Sequence, residues 1–126
     1  MRSPVSLATL ATVQSATERD FSVRVGQVAG ATVVTVVGEV DLDTAPELDF
    51  RITRAADGAD SLVIDLSGVT FFASAGLACL LTAQGQGHRP HLVPSPAVAK
   101  VLTLSDLEDF LPRSESLADA LGHVAR

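Results

Sequence analysis

The chain has 126 residues, of which 47% are hydrophobic and 19% are charged. This composition predicts one globular domain with a single core, and it excludes a disordered chain. The formal net charge is −6 and no segment gathers Lys and Arg, so non-specific nucleic-acid binding, which depends on neutralising phosphates, is disfavoured. No run of about 18 apolar residues predicts a membrane span. A single cysteine, Cys79, cannot form an internal disulfide, and it suits a reducing compartment such as the cytoplasm.

The first 20 residues differ in character from the rest of the chain. They begin with a basic residue and a mildly apolar run, but Thr and Ser interrupt that run. The segment therefore lacks the continuous apolar centre of a signal peptide. We expect a flexible tail over residues 1–20, followed by one domain over residues 21–126.

The domain begins with a pattern that is typical of a β-hairpin. Val23 and Val25 alternate with polar residues, Gly30 interrupts the run, and the β-branched stretch TVVTVVG follows. The alternation predicts an outer strand, and the continuous apolar run predicts a buried one.

The next stretch, DTAPELDFRITRAADG, predicts an α-helix. Thr44 and Glu47 have the spacing of a capping box, Leu48 and Ile52 recur at helical intervals, and Gly58 predicts the end of the helix.

The following stretch predicts a strand, a turn and a second helix. SLVIDLS (residues 61–67) is a short apolar run that suits a buried strand, and GVTFF (68–72) is expected to form the turn. Ser74 is expected to be the N-cap of an amphipathic helix that turns Leu77, Leu80 and Leu81 inward and ends near Gly85 or Gly87.

The last third of the chain predicts one more strand and two helices. PHLV suggests a short strand, and SPAVAKVLTL a helix with Ser95 as its N-cap and Pro96 in its first turn. A packed linker and a final helix after Ser114 account for the remaining apolar side chains, which are Leu107, Phe110 and Leu111 in the linker and Leu117, Leu121 and Val124 in the helix. Strands that alternate with helices after a hairpin predict an α/β fold, with a mixed sheet and about four covering helices.

Two kinds of catalytic chemistry find little support in the sequence. A serine between strand and helix is typical of the hydrolase nucleophile elbow, but FASAG has Phe72 where that motif needs glycine. The acidic residues Asp41, Asp43 and Asp65 suggest a Mg²⁺ site or a receiver-like phosphoaspartate domain with Lys100. The usual acidic pair after a first strand is missing, Asp43 suits a helix start, and Asp65 is expected in a turn. We expect no enzymatic activity, no cofactor and no metal.

Ser74 has two remaining interpretations. It is either a helix cap or a phosphoryl acceptor, because a phosphate at the start of a helix meets unpaired N–H groups and the positive end of the helix dipole. Such a modification adds roughly −1.5 to −2 charges to any surface that contains it. The local pattern alone leaves both interpretations open.

Three stretches in the same order resemble the STAS domains, and within them the bacterial anti-sigma-factor antagonists. They are VVTVVGEVDLDTAPEL, LVIDLSGVTFFASAGLACLL and PHLVPSPAVAKVLTLSDLEDFLP, and the resemblance covers residues 21–124. It implies a mixed sheet with flanking helices. One departure concerns the residue before the acceptor serine, which is commonly aspartate in the family and is Ala73 here.

The resemblance also implies a function. Similar members bind an anti-sigma factor that is also a serine kinase, and phosphorylation of one serine, here Ser74, ends that binding; a phosphatase would restore it. The residues that match the partner-binding segments are Glu39, Asp41, Asp43, Thr44, Ala73, Ser74, Ala75, Gly76 and Leu77. We expect a cytoplasmic monomer or weak dimer. The main alternative is a STAS subunit that is not phosphorylated and acts as a scaffold in a signalling or lipid-transport assembly.

Overall fold

A computed structural model describes residues 20–107 and 111–124 of the protein. The strands are β1 (Phe21–Val28), β2 (Ala31–Val40), β3 (Leu62–Phe72) and β4 (His91–Pro94), and the helices are α1 (Ala45–Ala56), α2 (Ser74–Gly85), α3 (Pro96–Leu104) and α4 (Leu117–Val124). They form one sheet in the order β1-β2-β3-β4, in which β1 is antiparallel to β2 and the other pairs are parallel. The α/β fold with a mixed sheet and four helices is confirmed. The expectations for residues 1–19 and Phe110 lie outside the described residues.

The N-terminal hairpin is confirmed, and its turn explains its shape. Val28 pairs with Ala31, so the connection has only two residues. Ala29 and Gly30 have φ angles of 52° and 84°, and two positive φ angles are typical of a type I′ turn, whose twist matches that of the strands. The hairpin places β1 at an edge of the sheet.

Helices cover the two faces of the sheet unequally. The main core lies between one face and helices α1 to α3, and it includes the fully buried residues Val34, Ile64, Leu48, Leu80 and Leu102. Successive strand residues point to opposite faces, so Val33 and Val63 lie on the other face, where they form a smaller cluster with Ala120 of α4. The inward face predicted for α4 is confirmed, because Leu117, Leu121 and Val124 pack against this cluster.

The ring of His91 in β4 stacks on that of His123 in α4, with 5.2 Å between the ring centroids. The Nε2 atom of His91 also lies 2.6 Å from Ser114 Oγ. Burial, and to a lesser extent His123, lower the pKa of His91, so this contact between α4 and the sheet favours the neutral imidazole.

Strand β3 is longer than expected. The predicted turn at residues 68–72 is wrong, because β3 continues to Phe72. Two register shifts against β2 absorb the extra length, and the β-branched and aromatic residues of VTFF suit a pleated sheet. Asp65 was wrongly expected in a turn. It lies inside β3, is buried, and accepts hydrogen bonds from Ser67 N at 3.0 Å and Ser67 Oγ at 2.7 Å.

The ends and inner faces of the helices agree with the sequence-based predictions only in part. Ser95 caps α3 as predicted, since its Oγ accepts a hydrogen bond from Val98 N at 3.2 Å. Helix α2 ends at Gly85, also as predicted. Leu80 of α2 is buried in the main core and Leu77 and Leu81 pack against that core, as predicted. The helix is less amphipathic than predicted, because it is apolar on most sides and also buries Cys79 and Ala83.

Gly38 permits a close contact between β1 and β2. Its φ angle is +103°, and a Cβ atom at this position would lie 1.7 Å from the carbonyl oxygen of Asp20. A side chain here meets both backbone strain and a backbone clash, neither of which a rotamer change relieves.

We expect Gly38→Ala to lower the free energy of unfolding by about 3 kcal/mol or more. The matched control is Gly26→Ala, because Gly26 lies in β1 with open space around its Cα, and we expect a change within about 0.5 kcal/mol. The chain has no Trp or Tyr, so urea unfolding should be followed by far-ultraviolet circular dichroism. Equal stability of the two variants would contradict the proposed contact.

Candidate functional site

The carboxyl ends of β2 and β3 lie side by side and bring the predicted site residues together. Val40 and Phe72 are partners in the parallel ladder, and the Ala73 N–H donates a hydrogen bond to the Val40 carbonyl at 2.9 Å. The segment that leads into α1 therefore lies next to the segment that leads into α2. We refer to residues 39–44 and 73–77 together as the carboxyl-end surface.

Asp41 and Thr44 hold the first segment in a tight turn. One carboxylate oxygen of Asp41 accepts hydrogen bonds from the backbone N–H groups of Asp43 at 2.9 Å and Thr44 at 3.0 Å. The Thr44 hydroxyl accepts one from Asp41 N at 2.9 Å and donates one to the Glu39 carbonyl at 3.0 Å. An Asp side chain that bonds to the backbone two residues on is typical of an Asx turn.

This turn corrects the capping box predicted for Thr44 and Glu47. Thr44 is the N-cap residue of α1, but its side chain caps no N–H of that helix; it bonds backwards, to the turn. Glu47 pairs instead with Arg51, at 3.7 Å. The capping-box spacing failed as a predictor because Asp41 provides a competing partner for the same hydroxyl.

Ser74 is the first residue of α2 and is exposed. It is not the N-cap, which corrects the sequence-based expectation. The N-cap is Ala73, whose φ and ψ angles are −89° and 170° and whose methyl side chain makes no capping hydrogen bond. The Ala73 carbonyl accepts the first helical bond, from Gly76 N at 2.9 Å. The hydroxyl of Ser74 therefore lies beside a first turn that no side chain caps.

Gly76 fixes the position of this first turn against the sheet. A Cβ atom at Gly76 would lie 2.6 Å from a ring carbon of Phe72 and 2.7 Å from Val40. One turn later, Cys79 Sγ lies 3.5 Å from the carbonyl of Ala45 in α1. Helix α2 can approach so closely because glycine provides the space.

Cys79 is buried, as the sequence predicts. Burial, with a smaller contribution from Asp49, raises the pKa of its thiol to about 11. The thiol therefore stays protonated near neutral pH and is a poor nucleophile.

The predicted partner-binding residues differ in their accessibility. Glu39, Asp43 and Ser74 are exposed, and Asp41, Ala73, Ala75 and Leu77 are half-buried. Thr44 and Gly76 are buried, so these two residues shape the carboxyl-end surface from beneath and do not form part of its outer face.

Leu42 is a surface residue that sequence reasoning missed. Its side chain is 79% exposed, and it sits between Asp41 and Asp43 in the Asx turn. A single exposed apolar side chain is common on protein surfaces, but the Asx turn places this one inside the carboxyl-end surface, between the predicted residues Asp41 and Asp43. The sequence indicated this exposed residue only by one apolar residue within DLDT (41–44), a stretch that is otherwise typical of a polar helix start.

The acidic residues of the carboxyl-end surface do not form the magnesium or receiver-like site considered as an alternative. Asp65 pairs with Thr35, six positions before Asp41, and a strand rises about 3.3 Å per residue. Asp65 thus lies well away from Asp41 and Asp43. No group of three or more potential metal ligands occurs within residues 20–107 and 111–124.

The family comparison matches most of the domain. A family model described as "Mlab, STAS domain" matches residues 23–113. The chain belongs to the STAS domain family. Recognition of the family from the three sequence stretches is therefore confirmed, and the carboxyl-end surface is a surface of a STAS domain.

Two curated relatives come from Mycobacterium tuberculosis. Anti-sigma-F factor antagonist RsfB is 43% identical over 109 residues, which cover 82% of this chain and 89% of RsfB. Osmosensory protein A is 32% identical over 103 residues, which cover 75% of this chain. The matched part spans only 65% of the length of osmosensory protein A.

Solved structures with the same fold include an anti-sigma factor antagonist from Mycobacterium paratuberculosis. It has a TM-score of 0.78 and 34% identity, and the match covers 84% of this chain and 95% of that one. The unphosphorylated form of SpoIIAA has a TM-score of 0.64 at 21% identity, over 82% of this chain and 96% of that one, and this likeness shows the fold alone. None of the helices in the described part of the chain has the length and apolar content that crossing a bilayer requires.

We expect Thr44→Val to lower the free energy of unfolding by about 1–3 kcal/mol, because it leaves the Asp41 N–H and the Glu39 carbonyl without their shared partner. Thr53→Val is the matched control, since Thr53 is exposed on α1, and it should change stability by less than about 0.5 kcal/mol. Urea unfolding curves measure both. Indistinguishable curves for the two variants would show that the hydroxyl does not hold the turn.

Proposed function

We propose that this protein is an anti-sigma-factor antagonist. It binds an anti-sigma factor through the carboxyl-end surface, and phosphorylation of Ser74 ends the binding. The observation that carries the proposal is the exposed Ser74 at the first position of α2, directly beside the acidic Asp41 turn. The similarity to RsfB and to the Mycobacterium paratuberculosis protein, both named anti-sigma factor antagonists, supports the same role.

The local structure can accept a phosphoryl group without unfolding. The first N–H groups of an α-helix have no partner inside the helix, and Ala73 provides no side-chain oxygen for them. A phosphate on the Ser74 oxygen can therefore accept hydrogen bonds from the first turn of α2, where the helix dipole also favours negative charge.

The same phosphate changes what can dock on the carboxyl-end surface. Glu39, Asp41 and Asp43 already make this surface acidic, and residues 39–44 and 73–77 include no Lys or Arg. A partner that fits it in the unmodified state needs complementary basic groups and an apolar pocket. About two more negative charges at Ser74 alter that complementarity and bring a hydrated dianion into the contact.

The chemistry of the switch requires little from this chain. The Ser74 hydroxyl oxygen attacks the γ-phosphorus of ATP bound to the partner, the bond between that phosphorus and the bridging oxygen breaks, and ADP leaves. The hydroxyl proton goes to a base of the partner kinase. In the reverse step, a phosphatase transfers the phosphoryl group to water. This protein therefore acts as substrate and binding protein, and not as an enzyme.

Leu42 provides an apolar contact for the partner. It lies on the rigid Asx turn, so little conformational entropy is lost when its backbone is held in a complex. A few fully desolvated residues near the centre of an interface contribute most of the binding energy, and the residues around them mainly exclude water.

Substitutions of Ser74 test the switch. The anti-sigma factor recovered from the native cell with the tagged chain should bind Ser74→Ala as tightly as the parent chain, whereas Ser74→Glu should bind at least about tenfold more weakly, which is about 1.4 kcal/mol. Thr103→Glu, an equally charged change at an exposed residue of α3, is the control and should leave the dissociation constant unchanged. Titration calorimetry measures all four proteins.

A companion assay separates the switch from the scaffold alternative. After incubation with ATP and the anti-sigma factor, mass spectrometry should locate a phosphate on Ser74 of the parent chain and none on Ser74→Ala. A parent chain that binds the same partner but gains no acid-stable phosphate favours a permanent scaffold. Wild-type affinity of Ser74→Glu would contradict the charge argument directly.

We expect Leu42→Ser to weaken binding to the same partner by at least about tenfold, because it removes the exposed apolar contact of the carboxyl-end surface. Leu104→Ser is the matched control, since Leu104 is 76% exposed at the end of α3. Circular dichroism should show that both variants fold. Equal affinity of the two variants would mean that Leu42 does not take part in the interface.

A further inference from the structure

A second exposed apolar area lies on the face of the sheet opposite α1 to α3. Helix α4 packs on this face against β3 and β4, around Val33, Val63 and Val93. Farther along the strands, Val37 is 44% exposed and Phe71 is 52% exposed. These two apolar side chains lie outside the cluster that α4 covers.

The strand registers place Val37 and Phe71 close together. Glu39 pairs with Phe71, and Val40 pairs with Phe72. Because Val40 and Phe72 are buried in the main core, the alternation of side chains directs Glu39 and Phe71 to the opposite face, together with Val37. We name Val37, Glu39 and Phe71 the back-face patch.

The N-terminal segment joins the domain at the edge of this patch. Ser22 pairs with Val37 and Phe21 with Gly38, and the Glu39 N–H donates a hydrogen bond to the Asp20 carbonyl at 3.3 Å. Neighbouring strands are about 4.8 Å apart, so residue 20 lies about one strand from the Val37 backbone and about two from that of Phe71. Residues 1–19 lie outside the described part, and a chain of that length spans up to about 60 Å when extended.

The sequence of this segment is complementary to the patch. Residues 1–19 contain four branched apolar residues, which are Val5, Leu7, Leu10 and Val13. With two arginines and one glutamate the segment carries a net charge of +1, while the whole chain carries −6. The patch offers two apolar side chains around Glu39, next to the acidic Asp41 turn.

We propose that residues 1–19 bind the back-face patch of their own chain, with the branched apolar residues on Val37 and Phe71. Tethering at residue 20 gives the segment an effective concentration of the order of millimolar at the patch, so a weak contact is enough. Glu39 belongs both to the patch and to the carboxyl-end surface, whereas Val37 and Phe71 lie outside that surface. The inference does not rest on the function proposed for Ser74.

A second copy of the chain is a poorer occupant of the same patch. Two patches brought together would place Glu39 of each copy in the contact, between chains that each carry a net charge of −6. Like charges at close range oppose such a contact. The tethered segment carries a net positive charge and is held covalently next to the patch.

Paramagnetic relaxation in the full-length chain tests the proposal. A nitroxide attached at Ser6→Cys should reduce the amide signals of Val37, Glu39 and Phe71, relative to the same sample with the nitroxide reduced, and should leave Thr103 of α3 unaffected. Cys79 is buried and its thiol stays protonated, so it resists labelling near neutral pH. The expected result is a strong loss of signal at the patch and at the adjoining start of β1, with no loss at Thr103.

A second set of variants identifies the side chains responsible without disturbing the domain core. Leu7→Ser combined with Leu10→Ser should restore the patch signals, whereas Thr9→Ser combined with Thr12→Ser, the control, should not. Full signal intensity at the patch in the spin-labelled parent would overturn the proposal. Equal losses of intensity in both double variants would also overturn it. Signal loss in a mixture of spin-labelled unenriched chains and unlabelled ¹⁵N-enriched chains would also overturn it, because the occupant is then a second copy.

Discussion

The junction between the carboxyl ends of β2 and β3 is the constraint on which the candidate site depends. One hydrogen bond, from Ala73 N to the Val40 carbonyl, joins the two segments that lead into α1 and α2. Gly76 then lets the first turn of α2 rest directly on Val40 and Phe72. Without this contact, Ser74 and the Asp41 turn would belong to two independent loops, and a charge added to one would have little effect on a partner bound to the other.

The side chains of the carboxyl-end surface fall into two groups, those that bond inside the turn and those that are exposed. The Thr44 hydroxyl and the Asp41 carboxylate are used inside the turn, so they maintain its shape. Leu42 and Ser74 point outward and are available to a partner. Changes at the first pair should therefore alter stability and affinity together, whereas removal of the exposed Leu42 side chain should alter affinity alone.

Much of the fold could be predicted from sequence because its strongest signals are local. The β-branched run of β2, the Gly58 and Gly85 helix ends and the Ser95 cap all correspond to features of the structure. The failures have one physical cause, which is competition from partners that local pattern does not reveal. Thr44 bonds to the Asp41 turn instead of to its own helix, and β3 extends through GVTFF because β2 provides a ladder for it.

The site was predicted at the level of segments and less well at the level of side chains. Order along the chain was enough to bring Asp41 and Ser74 to the same end of parallel neighbouring strands. It could not show that Gly76 and Thr44 are buried, or that Leu42 is exposed, because accessibility depends on how α1 and α2 pack on the sheet. The N-cap was misplaced by one residue for a similar reason, since the bond from Ala73 to Val40 determines where the helix begins.

The N-cap alanine of α2, Ala73, has a further consequence for dynamics. The N-cap of α3 is Ser95, whose hydroxyl accepts a hydrogen bond from the first turn, whereas the N-cap of α2 is Ala73, whose methyl group cannot. The two helices thus form an internal comparison, in which the amides of the α2 start should open to solvent more often and exchange their hydrogens sooner. A phosphate on Ser74 would accept hydrogen bonds from these amides, so the phosphorylated and unmodified surfaces would differ in rigidity as well as in charge.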